Sequence, residues 1–327
     1  MKVLVTGATG FVGSRLVELL VRKGDRVKAL VRQISDSSPL RSAGAEIVQG
    51  DIRDPAAMNE AVANTDCVYH LAAKTTKHDL SKREYYAHNV DGTRNIALAA
   101  IKFGVKRLVY ASSVGVYGTN RNLAIDETTV PRPNSYYREA KLIGEKELLN
   151  LHRSHGLPVV IARLGTTFGP GSRTFVDLSR KIKAGNFRIV GQGENHDQMV
   201  YVEDLVKGLK RCGEVQGIEG RTYVLAGDKP ATSRELLGLL ARELGVPPAF
   251  GHLPAAPFQL YGTLASLVYR LIGFQIPKSN HYNLFLSDHI YNISRARNEL
   301  GYLPITSLKD GLHDLIDWYR AQKYFAR

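Results

Sequence analysis

The chain opens on KVLVTGATGFVG, Lys2 to Gly13, and no other stretch restricts its fold as strongly. A β-branched and apolar run, Val3 to Val5, meets Thr6 and then Gly7, Gly10 and Gly13, before a helical pattern begins at Ser14. Glycine has three uses in such a strand-turn-helix. It turns the chain, lets backbone approach a pyrophosphate, and lets the helix lie against the strand. The helix N-terminus then directs unpaired N–H groups and partial positive charge at the anion. The spacing GxxGxxG departs from the general GxGxxG pattern, so the flanking strand and helix carry the reading as much as the glycines do. The candidate contacts are Gly7, Thr9, Gly10, Phe11, Val12 and Gly13.

A second strand, Arg26 to Arg32, ends on a basic residue where NAD-binding versions of this unit place an acid for the ribose 2′-hydroxyl. The Arg32 guanidinium suits a 2′-phosphate, with Ser35, Ser37 and Ser38 as further donors, so NADP is the preferred cofactor and NAD the alternative. A solvent-exposed charge at a strand end is the competing reading of Arg32. A net charge of +13 suits a phosphate-rich ligand or a solvated basic surface equally. No dense Lys/Arg block with interleaved aromatics appears, so nucleic acid is not indicated. Cys67 and Cys212 stand far apart with no CxxC or Cys/His cluster, which argues for reduced thiols in a cytoplasmic protein and against a metal site. The first strand begins at once, leaving no room for a cleaved signal peptide.

The next strands are Glu46 to Val48, which ends in Gly50 and Asp51, and Cys67 to Ala72. Asp54-Pro55 opens a helix between them. Small residues at Ala72 and Ala73 leave space for a cofactor, and His70 reads as a packed or hydrogen-bonded residue. A long helical stretch covers Arg83 to Phe103, and the strand Arg107 to Ala111 delivers Ser112 and Ser113 to the carboxyl edge, where ligands sit in open parallel sheets. Those serines are candidates for chemistry or for a plain turn.

Tyr137 and Lys141 form YxxxK at the start of a helix, a spacing that puts both on one face. A phenol titrating near about 10 is a poor acid-base group at neutral pH, and a nearby ammonium would lower that value. Ser113 could hydrogen-bond the substrate oxygen. Tyr319 and Lys323 have the same spacing but read as a solvated helix, since no strand-end serine precedes them.

These pieces resemble the extended short-chain dehydrogenase/reductase family, also called the NAD-dependent epimerase/dehydratase family. Matching motifs run along almost the whole chain: TGATGFVG, GDIRD (Gly50 to Asp54), HLAA (His70 to Ala73), NVDGT (Asn89 to Thr93) and SSVGVYG (Ser112 to Gly118). YREAK (Tyr137 to Lys141), RLGTTFGPG (Arg163 to Gly171), VYVEDL (Val200 to Leu205) and SRARNELGYLP (Ser294 to Pro304) follow. The resemblance implies an α/β fold, a Rossmann-type doubly wound parallel sheet with a smaller, mostly helical C-terminal substrate region. It implies Ser113, Tyr137 and Lys141 as the catalytic set, with Lys141 also holding the nicotinamide ribose and Asn89 supporting the site. Asp51 and Ile52 would flank the adenine, and Leu71, Ala72 and Ala73 would line the cofactor. A homodimer through the helices near 83–103 and 135–153 is also implied. Nucleotide-sugar members resemble RPxNVYGPG and RDYIHVxD, whereas this chain has Thr166 at the asparagine and Asp197 at the arginine. A carboxylate facing a diphosphate is repulsive, which argues against such substrates. Thr166 and Ser112 are the candidate substrate contacts.

The expected division is a nucleotide-binding region over 1–170, joined by part of 200–228, and a substrate region over 171–327, without a flexible linker between them. In the second half, Phe175 to Ala184 and Ser233 to Leu244 read as helices, the latter capped by Ser233. Leu253 to Lys278 carries an apolar stripe of Tyr261, Leu264, Leu267, Val268, Leu271 and Ile272. It reads as a helix covering the smaller region's core, with a lid over a lipophilic substrate or a membrane-surface contact left open. The whole is similar to the 3β-hydroxysteroid dehydrogenase and dihydroflavonol reductase branches. The expected activity is hydride transfer between nicotinamide and a secondary alcohol or ketone of a largely apolar small molecule. The alternatives are a nucleotide-sugar epimerase or dehydratase with bound NAD, and a non-catalytic cofactor sensor.

Overall fold

A computed structural model describes residues 1–75, 81–119, 124–276 and 287–325. Seven strands, all parallel, form the central sheet: β1 (Lys2–Thr6), β2 (Arg26–Val31), β3 (Glu46–Gln49), β4 (Cys67–His70), β5 (Arg107–Ser113), β6 (Val159–Leu164) and β7 (Thr222–Leu225). Their order is β3-β2-β1-β4-β5-β6-β7. The order reverses between β1 and β4, which opens a crevice at the carboxyl edge there, where doubly wound sheets hold ligands. Thr6 pairs in register with Leu30 and His70, and Ser113 with Leu164, so the motif residues of five strands emerge on one edge.

Both faces of the sheet are covered, which is why its strands are almost continuously apolar. On one face α1 (Phe11–Arg22), the helix Val202–Glu214 and the helix Ser294–Leu300 enclose a core that includes Val3, Val5, Leu16, Leu205 and Leu300. On the other, α2 (Pro55–Val62), α3 (Gly92–Lys102) and α4 (Tyr136–His155) bury Leu4, Met58, Ile96, Leu108 and Leu148. Each such side chain contributes about 1.5–3 kcal/mol by leaving water. A third cluster packs Phe168, Phe175, Ile182, Leu237, Leu240, Leu312 and Ile316 away from the sheet.

Four local expectations are corrected. The stretch Arg83 to Phe103 is interrupted: Lys82–Tyr86 is α-helical, Ala87–Asp91 forms a π-turn, and α3 resumes at Gly92. Thr232 rather than Ser233 caps the helix Ser233–Glu243, because Glu235 returns to the Thr232 backbone and completes a capping box. Tyr319 is fully buried in the third cluster and its hydroxyl accepts the Phe175 N–H at 3.2 Å, so it does not lie on a solvated helix. The apolar helix Ala256–Ile272 is not a core cover. Leu264, Leu267, Leu271 and Ile272 are exposed, and its buried residues are Gly262, Ala265 and Tyr269. It docks through that narrow face, with the Tyr269 hydroxyl donating to Glu139 and its ring 5.8 Å from that of Tyr136. Pro277 and Lys278, the end of that stretch, lie outside the described residues. No helix among the described residues is long and apolar enough to cross a membrane.

Candidate active site

The glycine turn is built as a cradle. Gly7 has φ +69°, and a Cβ on it would lie 2.7 Å from the Ala72 nitrogen, so the β4 exit presses against it. A Cβ on Gly13 would lie 2.1 Å from the Gly7 carbonyl oxygen, so only glycine lets α1 sit this close to the turn. Gly10 differs: it is exposed, and its nearest obstacle is the same oxygen at 3.1 Å. Gly10 caps α1 without a side-chain bond, and the first turn carries no acid, which leaves the leading N–H groups and the positive helix end facing outward beside Thr9, Phe11 and Val12. These features fit a pyrophosphate.

Residues further along the same edge continue the groove. Arg32, one residue past β2, is exposed and forms no ion pair among the described residues. Asp51 is held by Arg53 through bonds of 2.7 and 3.0 Å, which hold its carboxyl down at about 2, and Ile52 beside it is buried against Gly92. After β4, the Leu71 and Ala72 N–H groups bond the carbonyl and hydroxyl of Thr6, and Ala73 follows half-buried. His70 is wholly buried between the hydroxyls of Thr6 (2.7 Å) and Thr93 (3.0 Å), and burial keeps its imidazole neutral. It is a structural residue. No group of His, Cys, Asp and Glu that could hold a metal occurs among the described residues.

A cleft of about 660 Å³ opens at the carboxyl ends of β5 and β6. Ser113, Tyr137 and Thr166 line it together with apolar residues such as Leu164, Phe175, Leu178 and Met199. Ser135 caps α4, its oxygen accepting the Arg138 N–H, and this sets Tyr137 in the first turn at the cleft wall. Ser113 accepts the Gly115 N–H at 3.0 Å and hydrogen-bonds the Tyr137 phenol. Burial pushes that phenol above its usual value, offset by the Ser113 bond and then by the Arg138 charge.

The expectation that Lys141 acidifies Tyr137 is not met. Lys141 is buried, its ammonium donates to the Ala111 carbonyl at 2.7 Å and lies 4.6 Å from the Tyr110 ring centre, and burial pulls it down to about 7. The two residues share a helix face, but one turn further along that face looks onto β5 rather than into the cleft. Ser112 is corrected as a substrate contact. It is buried, and its hydroxyl donates at 2.5 Å to Glu145, which is itself bound by Arg163 at 2.7 Å. Alternation along β5 sends adjacent serines to opposite sides. Asn89, fully buried on the π-turn, accepts the Lys74 N–H (2.8 Å) and donates to the Lys74 carbonyl (3.0 Å). It positions the segment after β4 and makes no side-chain hydrogen bond to Ser113, Tyr137 or Lys141 among the described residues.

The structure adds residues that motif reading passed over. Arg138, His289 and Tyr291 line the cleft, as does Tyr85, whose ring meets that of Tyr137 edge-on at 6.5 Å. Asp197, noted in the sequence only as a departure, also lines it. Burial raises its carboxyl to about 7, offset by bonds from Thr166 and the Gln198 backbone.

Sheet order, glycine cradle and edge cleft together define a Rossmann-type, doubly wound α/β protein. The sequence pattern of the NAD dependent epimerase/dehydratase family matches residues 3–226, and the chain belongs to that family. A 3beta-hydroxysteroid-dehydrogenase/decarboxylase of Arabidopsis thaliana is 29% identical, over 96% of this chain and 78% of its own. A 2-alkyl-3-oxoalkanoate reductase of Stenotrophomonas maltophilia is 29% identical over 96% and 98%. Among solved structures, MoeE5 in complex with UDP-glucose and NAD superposes with a TM-score of 0.79 at 27% identity, over 99% of this chain and 100% of that one.

Proposed function

We propose that this protein is an NAD(P)-dependent oxidoreductase that moves hydride between nicotinamide and a secondary alcohol or ketone of a largely apolar small molecule. The observation that carries the reading is the placement of Ser113 and Tyr137 on the wall of one apolar-lined cleft, on the same sheet edge as the glycine cradle. A bound nicotinamide cofactor supplies or takes the hydride. In reduction, Tyr137 gives its phenolic proton to the carbonyl oxygen as the carbon gains hydride, and Ser113 hydrogen-bonds that oxygen. The buried phenol is held protonated at neutral pH, as an acid requires. Gly7, Gly10 and Gly13 with the start of α1 hold the pyrophosphate, Asp51 and Ile52 flank the adenine, Leu71 to Ala73 line the cofactor, and Lys141 holds the nicotinamide ribose. Arg32 reads a 2′-phosphate and makes NADP the preferred form. Thr166 touches substrate. The nucleotide-binding region is 1–170 with part of 200–228, the remainder forms the substrate region, and the buried reduced cysteines suit the cytoplasm.

The named activities of the two relatives, on a hydroxysteroid and an oxoalkanoate, support this reading. The alternative is a nucleotide-sugar epimerase or dehydratase, since MoeE5 binds UDP-glucose. Against it stands Asp197 in the cleft, a group that repels a diphosphate when ionised. A sensor without catalysis would not need Ser113 and Tyr137 in contact. Nicotinamide absorbance followed against hydroxysteroids, hydroxy-lipids, flavonoids and sugar nucleotides tests the reading. Turnover of apolar secondary alcohols is expected. Conversion of sugar nucleotides alone, on tightly retained NAD, would overturn it.

A further inference from the structure

Arg138 is a half-buried guanidinium on the cleft wall, next in sequence to Tyr137, and it pairs with no carboxylate among the described residues. Its side-chain bond runs from Nη1 to the neutral amide oxygen of Asn134 at 2.5 Å, which orients the group without neutralising it. The other guanidiniums set into the fold are treated differently. Arg163 pairs with Glu145 and Arg107 with Glu219. An unpaired cation taken from water carries a desolvation cost, and burial does pull Arg138 below its ordinary value. Its place in the first turn of α4 adds repulsion from the positive helix end. A bound anion relieves both.

The neighbours fix where that anion lies. A Cβ on Gly115 would sit 3.1 Å from Ser113 Oγ, 3.2 Å from Arg138 Cγ and 3.3 Å from Arg138 Nε, so the arginine stem rests on the turn that presents Ser113. The Arg138 charge bears on the Tyr137 phenol, on His289, whose imidazole burial keeps neutral, and on Tyr291. Asp197, the acid on this wall, also lines the cleft and bears on Tyr291, but forms no ion pair with Arg138 among the described residues. The group that meets the guanidinium fork is therefore supplied from the cleft.

We infer that Arg138 receives a carboxylate of the substrate, and that the compound reacting at Tyr137 is an acid whose carboxylate lies within a few bonds of the reacting carbon, as in a 3-hydroxy or 3-oxo acid. A planar fork with parallel donors matches a carboxylate, and holding it there presents the neighbouring oxygen to Ser113 and Tyr137. The inference rests on the hydride-transfer reading, which it narrows from apolar alcohols to apolar acids.

The test compares a long-chain 3-hydroxyalkanoate with its methyl ester by nicotinamide absorbance, in the wild type and in Arg138→Gln and Arg138→Lys. The wild type is expected to prefer the acid in kcat/KM by about 10- to 100-fold, the range of a charge-assisted bond. Arg138→Gln should bring that ratio close to one, and Arg138→Lys should keep part of it, which a merely structural role would not do. An acid-to-ester ratio near one in the wild type, or a ratio unchanged in Arg138→Gln, would overturn the inference. If neither compound turns over, the hydride reading is decided by the wider substrate panel, and calorimetry on the protein as purified still decides the carboxylate site. Tighter binding of the acid that is lost in Arg138→Gln supports it, and equal binding of acid and ester ends it.

Discussion

Burial sets the resting state of the groups at the centre of this account. The phenol of Tyr137 is raised and so holds its proton, while the ammonium of Lys141 is brought down to about 7 by the same loss of water. The cation that bears on Tyr137 is Arg138, one residue away, and not Lys141, four residues away. YxxxK points to a tyrosine that lines the cleft, but spacing reports a shared helix face and says nothing about what lies opposite each turn of it. Arg32 is exposed at the end of β2, on the edge that carries the cradle, a position open both to a 2′-phosphate and to plain solvent. Arg32→Ala should weaken NADPH binding by about tenfold, the lower end for a charge-assisted contact at an exposed site, and leave NADH nearly unchanged. Titrating both cofactors by fluorescence checks this, and equal losses would show that Arg32 does not read the 2′-phosphate.

At the scale of elements, the glycine turn separates two demands that its sequence presents as one motif. Gly13 is required by the fold itself, since an added Cβ would sit 2.1 Å from the Gly7 oxygen, whereas on the exposed Gly10 it would meet that oxygen at 3.1 Å, tight but not overlapping. Gly13→Ala should therefore lower stability by about 1–3 kcal/mol, the cost of forcing packed backbone apart. Gly10→Ala should cost less than that and instead weaken cofactor binding. Denaturant midpoints and cofactor titrations on both variants decide it, and a stability loss in Gly10→Ala as large as in Gly13→Ala would contradict the assignment. The parallel strands were readable because β-branched runs ending in motif residues have no other stable arrangement than a sheet covered on both faces. The π-turn at Asn89 was not, because the widened turn spans only Ala87–Asp91, too short a stretch for a change of period to be read. Periodicity showed that Ala256–Ile272 is amphipathic, but it cannot show whether the apolar side faces inward, and here the small-residue face does. Short pairings such as Ala231–Thr232 with His196–Asp197 carry too few residues for any period to be legible.

For the whole molecule, the helices implied in dimer formation lie side by side on one face of the sheet, tied across by Lys82–Glu139 and Arg94–Glu147. Leu98 and Phe103 are exposed on the first of them. A homodimer through this face is proposed, and light scattering should give twice the chain mass of 36.1 kDa, while a single chain mass would reject it. The larger consequence of the architecture is that one edge of one sheet brings together a pyrophosphate cradle from the start of the chain and a phenol from the middle of it. The proposed hydride transfer requires both, and they can be separated experimentally. In Tyr137→Phe, the nicotinamide absorbance change on an accepted substrate should fall by at least about 100-fold, the scale of a lost general acid, while cofactor affinity stays within about twofold of the wild type. Turnover at the wild-type rate in that variant would contradict the assignment of Tyr137 as the proton donor.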